Sequence, residues 1–296
     1  MARAAAYAVY DGDDEIEEHL PAIERLSRDL ATAARTMGPR EARFLVDSYY
    51  VIQENRKRAA NQVRSMDTPA KGREADFHEE PHILLTWLFT QSRILESQLK
   101  RSLDQYTQAH IMGDWMRQIV GIGPVISAGL LANLEEPRPT VGRIYAFAGI
   151  AGADQKPWLS GERRPFNARL KTICWHAGNS FMKLHNRPDC FYGKLYEKRK
   201  LFEQEMSDSG KRTETAAEWK AKLDKARKTK SETYKIYAAG RLPPSQIDGR
   251  ARRYAVKIFL SHVNEVWLTR LGRPVPAPFA LAHGGHVDYI PPPIPA

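Results

Sequence analysis

Apolar side chains recur every three or four residues along most of this chain, and this spacing limits what the chain can fold into. The stretch 80–112 carries the pattern most clearly, in Leu88, Ser92, Leu95, Leu99, Leu103 and Tyr106. Steps of three and four place side chains on one side of an α-helix, whereas a half-buried strand alternates every second residue. Because no convincing strand alternation occurs in the 296 residues, the sequence predicts an all-α fold.

Breaks in this spacing at glycine and proline divide the chain into parts. We expect an N-terminal helical region at residues 1–79, a long connecting helix at 80–112, and a second helical domain at 113–272. Residues 205–248 of that domain are rich in charge and are predicted to be an insertion. The proline-rich tail, residues 273–296, is expected to be extended or disordered, since proline fixes φ and lacks a backbone donor.

The apolar side of residues 88–106 has two possible partners. It is a narrow seam of the kind that forms helical hairpins and coiled coils, so it can build a homodimer. It can equally pack inside one chain as part of a helical bundle. The spacing does not distinguish these two, and the homodimer is the prediction that we carry forward.

The charged stretch 205–235 contains few large apolar groups. Such a segment is usually a solvated helical excursion, and a nucleic-acid-binding arm is the alternative. Trp219, Leu223 and Tyr234 are its expected apolar anchors.

Positive charge is concentrated in the second part of the chain. Lys and Arg number 45 against 35 Asp and Glu, a net charge of +10. Residues 1–112 hold 15 basic and 18 acidic side chains, whereas residues 113–296 hold 30 basic and 17 acidic ones, so their net charges are −3 and +13. A basic region attracts polyanions such as nucleic acids, and a solvated basic surface without a partner is the alternative.

The composition also bears on location. The chain has no run of about 18 apolar residues, so no transmembrane helix is expected. Its first residues lack the cationic region and apolar core of a secretory signal. Cys174 and Cys190 form neither a disulfide framework nor a metal-binding set, which is typical of a reducing compartment. We therefore expect a cytoplasmic, nucleoid-associated protein that contacts no membrane.

The most specific local motif is the glycine turn, residues 119–124 with the sequence Ile-Val-Gly-Ile-Gly-Pro. Two glycines permit a tight turn, and Pro124 suits the first turn of a new helix. This pattern is typical of a helix-hairpin-helix element, whose backbone N–H groups hold a phosphate oxygen. The predicted phosphate contacts are Gly121, Ile122, Gly123 and Val125. The alternatives are a purely structural turn between packed helices, or a monovalent cation held at the turn.

Basic side chains beyond this turn are predicted to support the same phosphates. They are Arg143, Arg163, Arg164, Arg169 and Lys171. Because phosphate contacts carry no base sequence, we expect weak sequence preference and steep salt dependence. Trp158, close to two of these arginines, could stack on a base or on an arginine. Its alternative role is to anchor the loop in the core.

The order of these elements resembles the C-terminal transposase domain of the insertion sequence one-ten/116/902 transposase family. The matching series consists of the run 119–134, the helix 141–150, the loop at Ser160 and Gly161, and the helices 167–181, 191–200 and 250–268. The similarity covers roughly residues 113–268. The helix at 80–112 is similar to the coiled-coil-like helix that precedes this domain in the family.

Members of this family recombine DNA with two catalytic parts, and characterised members are guided by a structured RNA. One part is a RuvC-like domain whose carboxylates bind divalent metal, and the other is this helical domain, which supplies a nucleophilic serine. The resemblance implies that Ser160 is that catalytic serine and that DNA, with a structured guide RNA, is the partner. A serine that only caps a turn is the alternative.

Two departures from the family bear on catalysis. No RuvC-like domain is expected in residues 1–79, since their pattern is helical, so a divalent metal would have to come with a partner. The segment between Ser160 and Arg169 is also shorter than the glycine- and arginine-rich link of the family.

The sequence thus predicts a DNA-binding, transposase-like protein of a mobile element or phage. One alternative is a serine-type DNA strand transferase that acts with a metal-binding partner. The other is a non-catalytic dimeric scaffold or accessory factor, in which the glycine turn is structural.

Overall fold

The computed structural model of the chain describes residues 28–67, 83–152, 158–159, 161–277 and 289–294. Within these ranges it contains α-helices, one short 3₁₀ helix at Ala34–Thr36 and no strand, so the predicted all-α fold is confirmed. The helices are α1 (Arg28–Ala33), α2 (Pro39–Asp67), α3 (Ile83–Ala109), α4 (Gly113–Gln118), α5 (Pro124–Leu134), α6 (Val141–Phe147), α7 (Ala168–Lys183), α8 (Phe191–Asp208), α9 (Thr213–Lys225), α10 (Glu232–Ala238) and α11 (Pro244–Arg270). None of these described helices combines the length and the apolar character needed to cross a bilayer.

The chain separates into two compact units, Met1–His110 and Ile111–Ala296. We call them the hairpin unit and the C-terminal unit. The division follows the end of α3, so the long helix belongs to the hairpin unit. The charge asymmetry found in the sequence follows the same division, because residues 111 and 112 carry no charge.

Helices α2 and α3 form an antiparallel hairpin. The Arg35 guanidinium, just before α2, donates to Gln105 near the end of α3, whereas the Tyr49 hydroxyl within α2 donates to Glu96. Leu103 and Tyr106 of the predicted seam are buried within this unit, so a hairpin uses that half of the seam. Leu88 at the other end of the seam is 47% exposed, and the homodimer stays a prediction.

The core of the C-terminal unit is built from aromatic rings around α11. Phe259 of α11 lies parallel to Trp115, with ring centroids 6.4 Å apart. Its ring also meets Phe181 of α7 and Tyr192 of α8 edge-on, at 5.5 and 5.1 Å. Because each such side chain buries about 150–250 Å², this cluster fixes α7 and α8 against α11.

Helices α5 and α7 run antiparallel and approach each other closely. A Cβ at Gly129 of α5 would lie 2.8 Å from the Ile173 side chain of α7, so glycine permits this approach. At the far end of α5, the Asn167 side-chain amide donates to Asn133 at 3.1 Å. The side-chain oxygen Oδ1 of Asn167 then accepts from the Leu170 backbone amide at 3.0 Å and caps α7. The start of α7 is therefore placed by the end of α5.

The charged stretch forms α9 and α10, which share a small apolar cluster with the start of α11. That cluster contains Ala216, Tyr237, Leu242 and Ile247, with Leu223 packed against it. Of the three expected anchors, Leu223 packs against the cluster and the 41% exposed Trp219 ring stacks on Tyr237 from outside, with centroids 6.4 Å apart. Tyr234 is half-buried and does not belong to the cluster, so that expectation was wrong.

Residues 289–294 of the proline-rich tail lie on the C-terminal unit without helix or strand. The Ile294 carbonyl accepts from the Trp115 indole N–H at 2.9 Å. The Ile290 carbonyl accepts from His262 Nε2 at 2.8 Å, and His262 Nδ1 lies 2.9 Å from the Tyr192 hydroxyl. Because a carbonyl can only accept, His262 Nε2 carries a proton. Burial lowers the pKa of His262 and so favours the neutral ring, in which Nδ1 accepts from the Tyr192 hydroxyl.

A candidate nucleic-acid interface

The glycine turn connects α4 to α5 and requires glycine at one position. Gly121 has a φ of +96°, in the left-handed region that favours glycine. A Cβ there would also lie 3.1 Å from Ser180 Oγ and 3.3 Å from Leu184 Cδ1. Another residue at this position would therefore be both strained and crowded.

Helix α7 and the segment after it hold the turn in place. The Ser180 hydroxyl donates to the Gly121 carbonyl at 2.6 Å, and the Cys190 thiol lies 3.7 Å from the Val120 carbonyl. The side chains of Ile119 and Ile122 are buried beneath the turn. The turn is thus a fixed piece of backbone.

The N-terminus of α5 presents backbone donors beside this turn. Gly123 is the N-cap residue, is exposed, and provides no side-chain cap. The first backbone hydrogen bond of α5 runs from the Ser127 amide to the Gly123 carbonyl. The amides of Val125 and Ile126 therefore have no acceptor within the helix. Since the side chains of Ile122 and Val125 are buried, only their backbone could contact a phosphate.

Gly123 differs from Gly121 in what surrounds it. Its φ of −87° suits any residue, and an added Cβ would meet nothing within 4 Å. Neither strain nor packing therefore accounts for glycine at this position. A side chain added here would project into the open space beside the helix terminus.

The predicted supporting cations are exposed but are not gathered at the turn. Arg143 lies on α6, Arg163 and Arg164 precede α7, and Arg169 and Lys171 lie in the first turn of α7. The glycine turn meets α7 at Ser180, nine residues beyond Lys171. At 1.5 Å per residue this is about 14 Å along the helix axis. Lys171 therefore belongs to a second region.

That second region is a cleft of about 270 Å³ beside the first half of α7, which we call the cationic cleft. Lys171 and Trp175 of α7 line one side, and Arg252 and Arg253 of α11 line the other. None of the side chains that line it is acidic. Of these four residues, the sequence predicted only Lys171 as a site residue and did not predict Trp175, Arg252 or Arg253. A local signal for Trp175 does exist, because it lies off the apolar side of α7.

The arginines of the cationic cleft are unequal. Arg252 pairs with Asp248 at 2.7 Å and also donates to Asn179. Arg253 forms no ion pair with any described residue. Burial, and then its neighbours Arg250 and Arg252, lower the pKa of the Arg253 guanidinium below its ordinary value. An anion placed here would relieve that repulsion.

Trp158 lies on the surface rather than in the core. Its ring is 41% exposed and lies 4.9 Å below the Arg164 guanidinium. Its indole N–H donates to the Glu162 carbonyl at 2.7 Å. Of the roles considered for Trp158, the structure shows stacking on an arginine, and the role of a core anchor is wrong. Ser160 lies outside the described residues, so its predicted catalytic role stays a prediction.

Metal binding has no candidate among the residues that the structure describes, where no three His, Cys, Asp or Glu side chains are grouped for it. Both cysteines are buried and unoxidised. Burial raises the pKa of the Cys174 thiol to about 12, which makes it a poor nucleophile.

No family model, no curated protein and no solved structure matches this chain. The resemblance to the transposase family rests on the order of the sequence elements alone.

Proposed function

We propose that this protein is a DNA-binding, transposase-like protein of a mobile element or phage. Its glycine turn would bind the phosphates of the DNA. The observation that carries the proposal is the exposed N-cap at Gly123 beside a turn that Ser180 holds in place. A helix N-terminus with unused amides favours an anion, and the helix dipole adds to this preference. Such a grip would not depend on base sequence.

The charge of the unit supports a polyanion as the ligand. The C-terminal unit carries the whole positive excess of the chain, with 30 basic against 17 acidic side chains in residues 113–296. The exposed Arg143, Arg169 and Lys171 would add contacts along the backbone of a DNA that extends beyond the turn. A ligand that spans this distance must be a polymer rather than a single small anion.

The test is a substitution that covers the α5 terminus without disturbing the fold. Gly123→Leu adds its side chain in open space, so it should fold as the wild type does. We expect its affinity for a labelled DNA duplex, measured by fluorescence anisotropy, to fall about tenfold. The control is Ala217→Leu, which adds similar bulk at an exposed site on α9.

The salt dependence of binding gives an independent measure. The logarithm of the binding constant should fall linearly with that of salt concentration, with a slope of about −0.9 per phosphate contact. Gly123→Leu should make this slope shallower. Unchanged affinity and unchanged slope in Gly123→Leu would show that the glycine turn is structural.

We also infer that the hairpin unit makes a homodimer through its 88–106 helix. Leu84 and Leu88 lie one helical turn apart on α3 and are 64% and 47% exposed. On α2, Phe44 and Val51 are separated by seven residues and are 70% and 61% exposed. Light scattering should give a dimer that Leu84→Glu with Leu88→Glu converts to a monomer. A monomeric wild type at all concentrations would contradict this inference.

A further inference from the structure

We propose that the cationic cleft binds one nucleotide, with its base stacked on Trp175 and its phosphate held by Lys171 and Arg253. The proposal goes beyond DNA binding at the glycine turn and does not depend on it. The nucleotide could be free or could be an unpaired position in a strand, since both present the same base and phosphate.

Trp175 is an exposed aromatic side chain that lines the cleft. Its side chain is 57% exposed although it lines a cleft, and the rest of α7 buries its apolar groups against α5 and α11. The adjacent His176 ring is roughly perpendicular to it, with centroids 5.0 Å apart, so it does not stack parallel to the indole. An exposed aromatic face beside cations is the usual platform for an unpaired base.

The cleft also contains two cations, Lys171 and Arg253, that form no ion pair with a described carboxylate. Lys171 Nζ lies 4.4 Å from the centroid of the Phe166 ring, and neither it nor Arg253 forms an ion pair with a described residue. Arg250 and Arg252 beside Arg253 are already paired, with Glu203 and Asp248. Lys171 of α7 and Arg253 of α11 therefore line one cleft, and none of the residues that line it is acidic.

The cleft is smaller than a typical small-molecule site, which favours one nucleotide over a longer segment of nucleic acid. Its volume of about 270 Å³ lies just below the range of about 300–1,000 Å³ typical of small-molecule sites. Gly249 of α11 lines it, and a Cβ added there would meet nothing within 4 Å. A larger side chain at Gly249 would fill the cleft without a clash.

The test measures binding of AMP by calorimetry and of a short labelled single-stranded DNA by anisotropy. Gly249→Leu should abolish both, and Trp175→Leu should weaken both by about tenfold or more. Trp175→Phe should recover most of this loss, because phenylalanine still stacks. Arg253→Gln and Lys171→Gln should each weaken binding severalfold. The controls are Trp219→Leu, another exposed tryptophan, and Lys228→Gln, another exposed cation.

The outcomes separate the sources of the nucleotide. Binding of both probes indicates a site open to free nucleotides, and binding of the single strand alone indicates an unpaired position in a strand. Loss of single-strand binding in Trp175→Leu, with duplex binding intact, would separate this cleft from the glycine turn. Inorganic phosphate that binds as tightly as AMP, equally in wild type and Trp175→Leu, would overturn the proposal. So would failure of both probes to bind.

Discussion

The hairpin unit and the C-terminal unit have cores of different composition. The buried side chains of the hairpin unit are mostly small or mid-sized and include Ala42, Val46, Ala59, Leu103 and Tyr106. The C-terminal unit instead surrounds Phe259 with Trp115 and other large rings. A hairpin can close with neighbours along one seam, whereas an aromatic core needs several helices in place at once.

Each unit also contains a carboxylate that gathers polar groups. Glu96 of α3 accepts from Tyr49, Gln53 and Arg56 of α2, with 13% of its side chain exposed. Glu203 of α8 is fully buried and pairs with Arg199, Arg212 and Arg250. Part of the positive charge of the C-terminal unit is therefore internal and structural. The cations available to a polyanion are those of the surface and of the cationic cleft.

The largest expected effect comes from opening the aromatic core. Phe259→Ala leaves a cavity between three rings and should destabilise the C-terminal unit by about 3–5 kcal/mol. Hydrogen exchange should show lost protection in α4 to α11 and unchanged protection in α2 and α3. Equal loss of protection in both units would mean that they unfold together and not as two separate units.

An intermediate effect is expected from neutralising the two carboxylates in turn. Glu203→Gln leaves three arginines facing a neutral group and should lower the free energy of unfolding by about 3 kcal/mol. Glu96→Gln leaves one partly exposed arginine and should cost about 1 kcal/mol. Denaturant unfolding of the two variants gives both values. A larger loss of unfolding free energy in Glu96→Gln than in Glu203→Gln would contradict the expectation that the fully buried carboxylate contributes more.

Acid should weaken the Glu203 site before it weakens the core. Burial opposes ionisation of this carboxyl, but Arg250 and Arg199 outweigh it and hold its pKa below the usual value. A lowered pKa in the folded state means that the stabilisation is complete above about pH 4.5. It is lost as the pH falls through the folded-state pKa. In Glu203→Gln the acid unfolding curve should lose this component.

The smallest expected effect concerns the tail contact at His262. Burial lowers the pKa of His262, and its hydrogen bond to the Ile290 carbonyl opposes this only in part. The unfolded chain therefore takes up the proton first, and stability falls as the pH drops below about 6.5. Between about pH 7.5 and pH 5.5 we expect His262→Gln to reduce the change in unfolding free energy.

The control for this effect is His110→Gln. His110 lies in the hairpin unit, and burial lowers its pKa in the same direction. Its substitution should therefore reduce the pH dependence of the stability of the hairpin unit and leave that of the C-terminal unit as before, when hydrogen exchange follows each unit separately. An unchanged pH dependence in His262→Gln would mean that another group titrates there.

Local sequence signals predicted the helices and the glycine turn well. The helix expected at 167–181 is α7, Ala168–Lys183, and Asn167 caps its start. The turn at Gly121 was predicted because two glycines permit a tight turn and Pro124 suits the start of a helix. The helix expected at 250–268 is α11, which begins earlier because Pro244 lies in its first turn.

Contacts between distant segments had no such signal. The cationic cleft requires α7 to pack on α11, and nothing near Trp175 in sequence indicates that Arg253 lies opposite. The seam at 88–106 left hairpin and dimer open, since periodicity defines a face but not its partner. Glu203 likewise resembles any other charge in a charged helix until α11 brings Arg250 to it.

The bond between Trp115 and Ile294 has a consequence for the time course of synthesis. The two residues are 179 positions apart, and a ribosome adds about 5–20 residues per second. The hairpin unit can close while the chain is still being made. The Ile294 carbonyl, which accepts from the indole N–H of Trp115, is synthesised about 10–40 s after Trp115. The closing contact of the C-terminal unit is thus made only when the last residues of the tail have been synthesised.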